Sequence, residues 1–159
     1  NFWMDVALDD LKVVLKKVDV LLVNDGEARQ LSGEVSLVKA AKAIMAMGPK
    51  YLIIKKGEHG ALLFHENSVF FAPALPLEEV FDPTGAGDTF AGGFTGYLAK
   101  VKDISFDSMK TAIIVGSAMA SFCVEKFGPE RLKEINADDI TARINEFVQL
   151  VNFDIDLIG

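Results

Sequence analysis

The stretch FDPTGAGDTFAGGF, running from Phe81 to Phe94, holds four of the chain's thirteen glycines, an Asp-Pro opening and a second aspartate, Asp88, directly after Gly-Ala-Gly. From there the chain reads as a helix to about Lys100. Glycines let a ligand approach the backbone, and where such a turn feeds a helix the first N–H groups have no intrahelical partner. Unpaired amides at the positive end of a helix dipole attract anions, phosphate above all. A carboxylate at that place repels such a ligand unless it acts on it. Asp88 can accept the proton of a hydroxyl attacking phosphorus while the amides stabilise charge on the transferring group. On the residues alone a plainer reading stays open: an acid in the first turn favours the helix by about 0.3 to 1 kcal/mol through the dipole.

Outward from this stretch the chain alternates helices with short apolar runs. Val6, Leu8, Leu11, Val14 and Leu15 recur at mostly helical spacing and predict a helix over Asp5 to Val18. The run VDVLLVN then predicts a buried strand ending at Asn24. DGEARQLSG reads as a short polar helix closed by Gly33, and Ser36 can cap a further helix through Met47 that stops at Gly48-Pro49. YLIIK repeats the buried-strand signature, and ALLFHENSVFFAP reads as a hairpin turning near Glu66-Asn67-Ser68, so the sheet is mixed. Beyond the glycine-rich stretch, Phe106, Met109, Ile113, Gly116, Ala120, Cys123 and Phe127 form the core-facing seam of a longer helix. Asn136 or Asp138 can cap a last helix through Leu150, and the tail VNFDIDLIG alternates enough to predict an edge strand. Residues 1–159 form a single α/β domain in this reading.

Bulk properties narrow the function classes. At 159 residues and 50% hydrophobic content the chain has ample material for one core. The net charge of -7, with no Lys/Arg cluster to offset it, argues against binding nucleic acid through its phosphates. A lone cysteine, Cys123, in an apolar helical pattern reads as a small core residue of a protein from a reducing compartment, the cytoplasm. No apolar run reaches the roughly 18 to 20 residues that span a bilayer, so no membrane partner is expected. Two histidines and one cysteine do not make a zinc-ligand set. His59 reads as an exposed loop residue and His65 as a strand surface residue.

The glycine-rich stretch is neither a Walker A loop nor a G-x-G-x-x-G turn after a strand. Position by position it resembles the second signature of the PfkB, or ribokinase-like, kinases: Asp82, Pro83, Thr84, Gly85, Ala86, Gly87 and Asp88, then Gly92, Gly93 and Phe94. The resemblance implies a three-layer α/β sandwich, its sheet mostly parallel with an antiparallel hairpin. It implies Asp88 as catalytic base and an anion hole from the amides of Gly85, Ala86 and Gly87, with Thr84 helping to hold the migrating phosphate. NDGE is similar to the family's Asn-x-x-Glu, which implies Asn24 as a hydrogen-bond partner near the phosphates and Glu27 as a carboxylate acting on Mg²⁺ through water. Without that context such an Asn after a strand is a cap or turn residue. KKGEHG resembles the family's nucleotide loop at Gly57 and Gly60, with Lys55 where threonine is usual. Lys55 either reaches a phosphate as a point charge or is a solvated strand-end residue.

Ser117, beside Gly116 and Ala118, falls where the family has small residues near the base of the nucleotide, although close helix packing explains such residues equally. Asp82 and Thr84 are candidates for holding a monovalent cation, K⁺. The resemblance therefore implies ATP, Mg²⁺ and a sugar or nucleoside acceptor for the nucleotide-binding, catalytic-base part of a carbohydrate or nucleoside kinase. It spans the chain but only the C-terminal half of a family member, so Asn1 is expected to mark a cut, with the N-terminal half and its lid absent. A cut of that kind favours self-association, in the simplest case a homo-dimer. Two other readings stay open, a non-catalytic adenine-nucleotide-binding or assembly module and a folded fragment that binds nothing.

Overall fold

The computed structural model describes residues 2–152 and 154, and of Phe2 and Trp3 the backbone alone. The chain divides into two compact units, Asn1–Ala72 and Pro73–Gly159. The first begins with helices α1 (Phe2–Val6) and α2 (Leu8–Leu15), followed by strand β1 (Val20–Asn24). Helices α3 (Asp25–Ser32) and α4 (Leu37–Met45) precede β2 (Tyr51–Lys55), a single 3₁₀ turn at Gly57–His59, and the strands β3 (Ala61–His65) and β4 (Ser68–Ala72). The single helix expected from Asp5 to Val18 is thus two, broken at Ala7, whose φ of -146° and ψ of 42° lie outside the helical region.

The four strands form one sheet in the order β1-β2-β3-β4. β1 and β2 are parallel, while β2–β3 and β3–β4 are antiparallel. Parallel pairing is therefore a smaller share of this sheet than the resemblance implies, because the hairpin enters two of its three pairings. The hairpin turns through Glu66 and Asn67, with Glu66 at a φ of 50° and His65 opposite Ser68. A two-residue loop of this kind joins neighbouring antiparallel strands directly. Tyr51 to Ile54 are all buried, as the continuous apolar run predicts, and the core of this unit gathers Leu15, Val23, Ala28, Leu31, Ala41, Ile44, Leu52, Ile54 and Phe64. At about 1.5 to 3 kcal/mol for each large apolar side chain removed from water, this cluster is what holds α2, α3 and α4 to the sheet.

The second unit contains α5 (Ala86–Val101), α6 (Phe106–Cys123), α7 (Glu130–Glu134) and α8 (Ala137–Val151). α5 and α6 pack with their backbones close together. A Cβ placed on Gly116 would lie 2.8 Å from the Phe90 carbonyl oxygen, and one on Gly93 would lie 2.9 Å from Met119 Cγ. α8 is tied to α6 by Arg143, whose guanidinium lies 4.0 Å over the Phe122 ring and donates to Ser121 Oγ at 2.7 Å.

One expectation fails here. Phe127 is not part of the α6 seam: the helix ends at Cys123 and Phe127 is 72% exposed. Past the helix end the Val124 carbonyl accepts the Phe81 N–H at 2.8 Å, and Gly128-Pro129, a pair that does not continue a helix, follows. The five-residue α7 after Pro129 was not expected at all. The edge strand predicted for the tail lies largely outside the described residues, and Val151 is the last residue of α8. No helix among the described residues is long and apolar enough to cross a membrane.

Candidate functional site

In the second unit the glycine-rich turn is built by short-range hydrogen bonds. Asp82 Oδ1 accepts the Thr84 N–H at 2.9 Å. That bond, with the Thr84 hydroxyl and then the Gly128 amide, holds the Asp82 carboxyl below its ordinary range. Gly85 sits at the N-cap of α5 with a φ of 83°, the left-handed region in which glycine carries no steric penalty. The first regular helical bond runs from Thr89 N–H to Gly85 O at 2.9 Å.

The residues before that bond decide the chemistry. No side chain caps α5. Ala86 N–H, which the resemblance places in the anion hole, donates to Pro83 O at 3.2 Å. The amides of Gly85, Gly87 and Asp88 have no hydrogen-bond partner among the described residues. Gly85, Gly87 and the Asp88 side chain are exposed, so an anion arriving from solvent meets three donors and the dipole of a 16-residue helix. The donors lie within four residues of an ionisable carboxylate.

Ser117 is half-buried on α6, between buried Gly116 and Ala118. At Gly116 the small residue is required by packing, since Phe90 O leaves no room for a Cβ. Cys123 and Val124 touch the glycine-rich turn, and nothing in their spacing announced it.

In the first unit the structure brings Asn24, Glu27 and Lys55 to one end of the sheet. Asn24 and Lys55 are partners at the carboxyl ends of the parallel strands β1 and β2, the edge where open α/β sheets collect ligands. Asn24 is also the N-cap of α3: its Oδ1 accepts Glu27 N–H at 2.7 Å, and Glu27 Oε2 accepts Asn24 N–H at 2.8 Å. The Asn-x-x-Glu pattern is thus a closed capping box. Gly57 and Gly60 bracket the 3₁₀ turn, which Lys56 N–H closes by donating to Gly60 O at 2.8 Å. His59 is exposed there, and His65 stacks on Tyr51 at 4.1 Å with Nδ1 2.9 Å from Lys50 O.

The chain matches the model of the pfkB family of carbohydrate kinases over residues 1–135. It is 31% identical to the ribokinase of Staphylococcus aureus over 132 residues, which cover 77% of this chain and 42% of that protein. Over 92 residues, 56% of this chain and 33% of the relative, it is 39% identical to the cytidine kinase of Thermococcus kodakarensis. A solved aminoimidazole riboside kinase from Salmonella enterica, complexed with aminoimidazole riboside and an ATP analog, is similar with a TM-score of 0.77 at 27% identity, over 89% of this chain and 47% of that one. The fructokinase of Vibrio cholerae with fructose, ADP and calcium ion bound shares the fold at a TM-score of 0.77 and 21% identity, over 86% of this chain and 44% of that one. The chain spans less than half the length of each of these proteins.

Proposed function

The chain belongs to the pfkB family of carbohydrate kinases and has a ribokinase-like α/β fold with a mixed four-stranded sheet; from that premise we propose that it is the nucleotide-binding and catalytic-base portion of an ATP-dependent kinase that phosphorylates a hydroxyl of a sugar or nucleoside. The observation that carries this reading is the uncapped start of α5, with the Gly85, Gly87 and Asp88 amides unpartnered beside the exposed Asp88 carboxylate.

In this mechanism the three amides hold the terminal phosphate, and their donors strengthen as charge develops on its oxygens, while Thr84, whose N–H and hydroxyl both go to Asp82, shapes the turn around it. Asp88 accepts the proton of the attacking alcohol. Within the first unit the exposed Gly57 is the candidate for a backbone surface without a side chain, Gly60 being buried behind it, and within the second unit Ser117 is the candidate for the base. Within the first unit, Lys55 and Asn24, paired across β1 and β2, are the candidates for a positive charge and an amide that a phosphate could meet. Mg²⁺ fits the hard oxygen of Glu27 acting through water, and when bound it would neutralise phosphate charge. Asp82, held ionised by the hydrogen bonds it accepts, fits a monovalent cation such as K⁺.

Titration calorimetry of the chain with Mg-ATP tests the binding half of the proposal, with saturable uptake expected. ADP release in the presence of ribose, fructose or cytidine tests transfer. Uptake without ADP release favours the module that binds nucleotide and transfers nothing, a role the closed Asn24–Glu27 box is compatible with, since both side chains already have structural work.

A further inference from the structure

The segment that leaves α6, from Cys123 to Gly128, contacts the glycine-rich turn from three sides. Beneath the turn, Cys123 is 3% exposed and its thiol donates toward Thr84 O at 3.8 Å, a weak hydrogen bond that is also a packing contact. An added Cβ on Gly85 would meet the same sulfur at 3.9 Å. At the entrance of the turn the Val124 carbonyl accepts Phe81 N–H at 2.8 Å and Asp82 N–H at 3.4 Å. Beside it the Asp82 carboxylate receives Thr84 N–H at 2.9 Å, and the neighbouring Gly128 amide adds to the lowering of its pKa. The segment is itself braced, because Glu125 is held by Arg131 at 3.0 Å and by Arg143 at 2.5 Å.

We propose that Cys123–Gly128 is the positioning element of the glycine-rich turn, with the Cys123 side chain as the floor that sets the height of Thr84 and Gly85 and, through them, of the Gly87 and Asp88 amides. The floor itself rests on geometry alone, while its effect on nucleotide binding rests on the proposed kinase function. Cysteine is small, and the turn sits directly on its sulfur. Removing the sulfur leaves a gap under Thr84, and adding a branched methyl pushes the turn outward. Serine keeps the volume nearly unchanged and offers a hydroxyl donor to the same carbonyl.

The test compares the chain with its Cys123→Ser, Cys123→Ala and Cys123→Val variants in two measurements: the amide ¹H–¹⁵N resonances of Gly85, Gly87 and Asp88, and the affinity for Mg-ATP by calorimetry. The alanine and valine variants are expected to move all three resonances and weaken Mg-ATP by at least about tenfold, within the roughly 10²-fold that a 1 Å misplacement costs. Serine is expected to restore both readouts, which general destabilisation would not predict. Should the valine variant fail to fold, the alanine and serine pair decides. Unmoved resonances in the alanine variant, or a serine variant as disturbed as alanine, overturn the proposal. If the unmodified chain takes up no Mg-ATP, the functional reading fails by itself, and the three resonances alone decide whether the floor exists.

Discussion

Two helix starts in this molecule use opposite solutions to the same problem. Every helix begins with backbone donors that have no intrahelical acceptor. α3 closes its own with the Asn24–Glu27 box, and α4, α6 and α8 use Ser36, Ser105 and Asn136 as side-chain caps. α5, at 16 residues longer than α3, α4 or α8, has glycine at the N-cap and leaves the Gly87 and Asp88 amides without partners. A cap contributes about 0.5 to 2 kcal/mol, so forgoing one in front of a long helix has a measurable cost. α2 and α7 also start without a side-chain cap, so what sets α5 apart is its glycine-rich approach and the Asp88 carboxylate beside the open amides.

The sharpest test of that contrast is Asp88→Asn. If the open start serves phosphoryl transfer, turnover with a sugar or nucleoside falls by about 10²- to 10⁴-fold, the contribution of a positioned general base, while the Mg-ATP dissociation constant changes little. Near-normal turnover in a steady-state assay would reduce Asp88 to a dipole-complementing acid.

Gly116→Ala asks how far the open start depends on the packing behind it. The added methyl falls 2.8 Å from Phe90 O, a backbone atom that cannot turn aside. Overpacking at about 1 to 3 kcal/mol outweighs the helix-propensity gain of roughly 1 kcal/mol, so urea denaturation should show a net loss of about 1 kcal/mol. A stabilised variant would mean that α5 and α6 are less tightly apposed than described.

Asn24→Ala should cost about 1 kcal/mol through loss of the cap, and Asn24→Asp should recover most of it, both read by thermal denaturation. If Asn24→Asp nonetheless weakens Mg-ATP, the closed start serves ligand as well and the contrast with α5 breaks.

The smallest effect is expected at Asp82. Its folded pKa lies below the unfolded value of about 3.9, so the stability it contributes is present above that value and is lost as pH falls through the lower folded pKa. Asp82→Asn should therefore lower the midpoint slightly at neutral pH and flatten the acid limb of the midpoint-versus-pH curve below about pH 4, so that the two proteins converge in acid.

The helices α3, α4, α5 and α8 were legible because their signals are local: Asn24, Ser36 and Asn136 are cap residues in the sequence as in the structure, and Gly33 closes α3 in the left-handed region. The hairpin was legible from Glu66 and Asn67 for the same reason. Phe127 was misplaced because the 3.6-residue period runs on past Cys123, whereas the helix stops where Phe81 takes the Val124 carbonyl. The break at Ala7 had no punctuating residue to announce it.

The candidate site divides along the same line. The order of residues from Asp82 to Asp88, with its three-residue Gly-Ala-Gly spacing, is enough to place glycine, donor and acid at the start of a helix, since helix starts are decided by a few neighbouring residues. Which amides remain open is a different matter: Pro83 takes Ala86, leaving Gly85, Gly87 and Asp88. Equally, only the folded chain shows that Cys123 and Val124, some forty residues downstream, hold the turn. Hydrogen bonds between distant segments depend on where packing delivers each carbonyl and amide, and no local pattern of residue types encodes that.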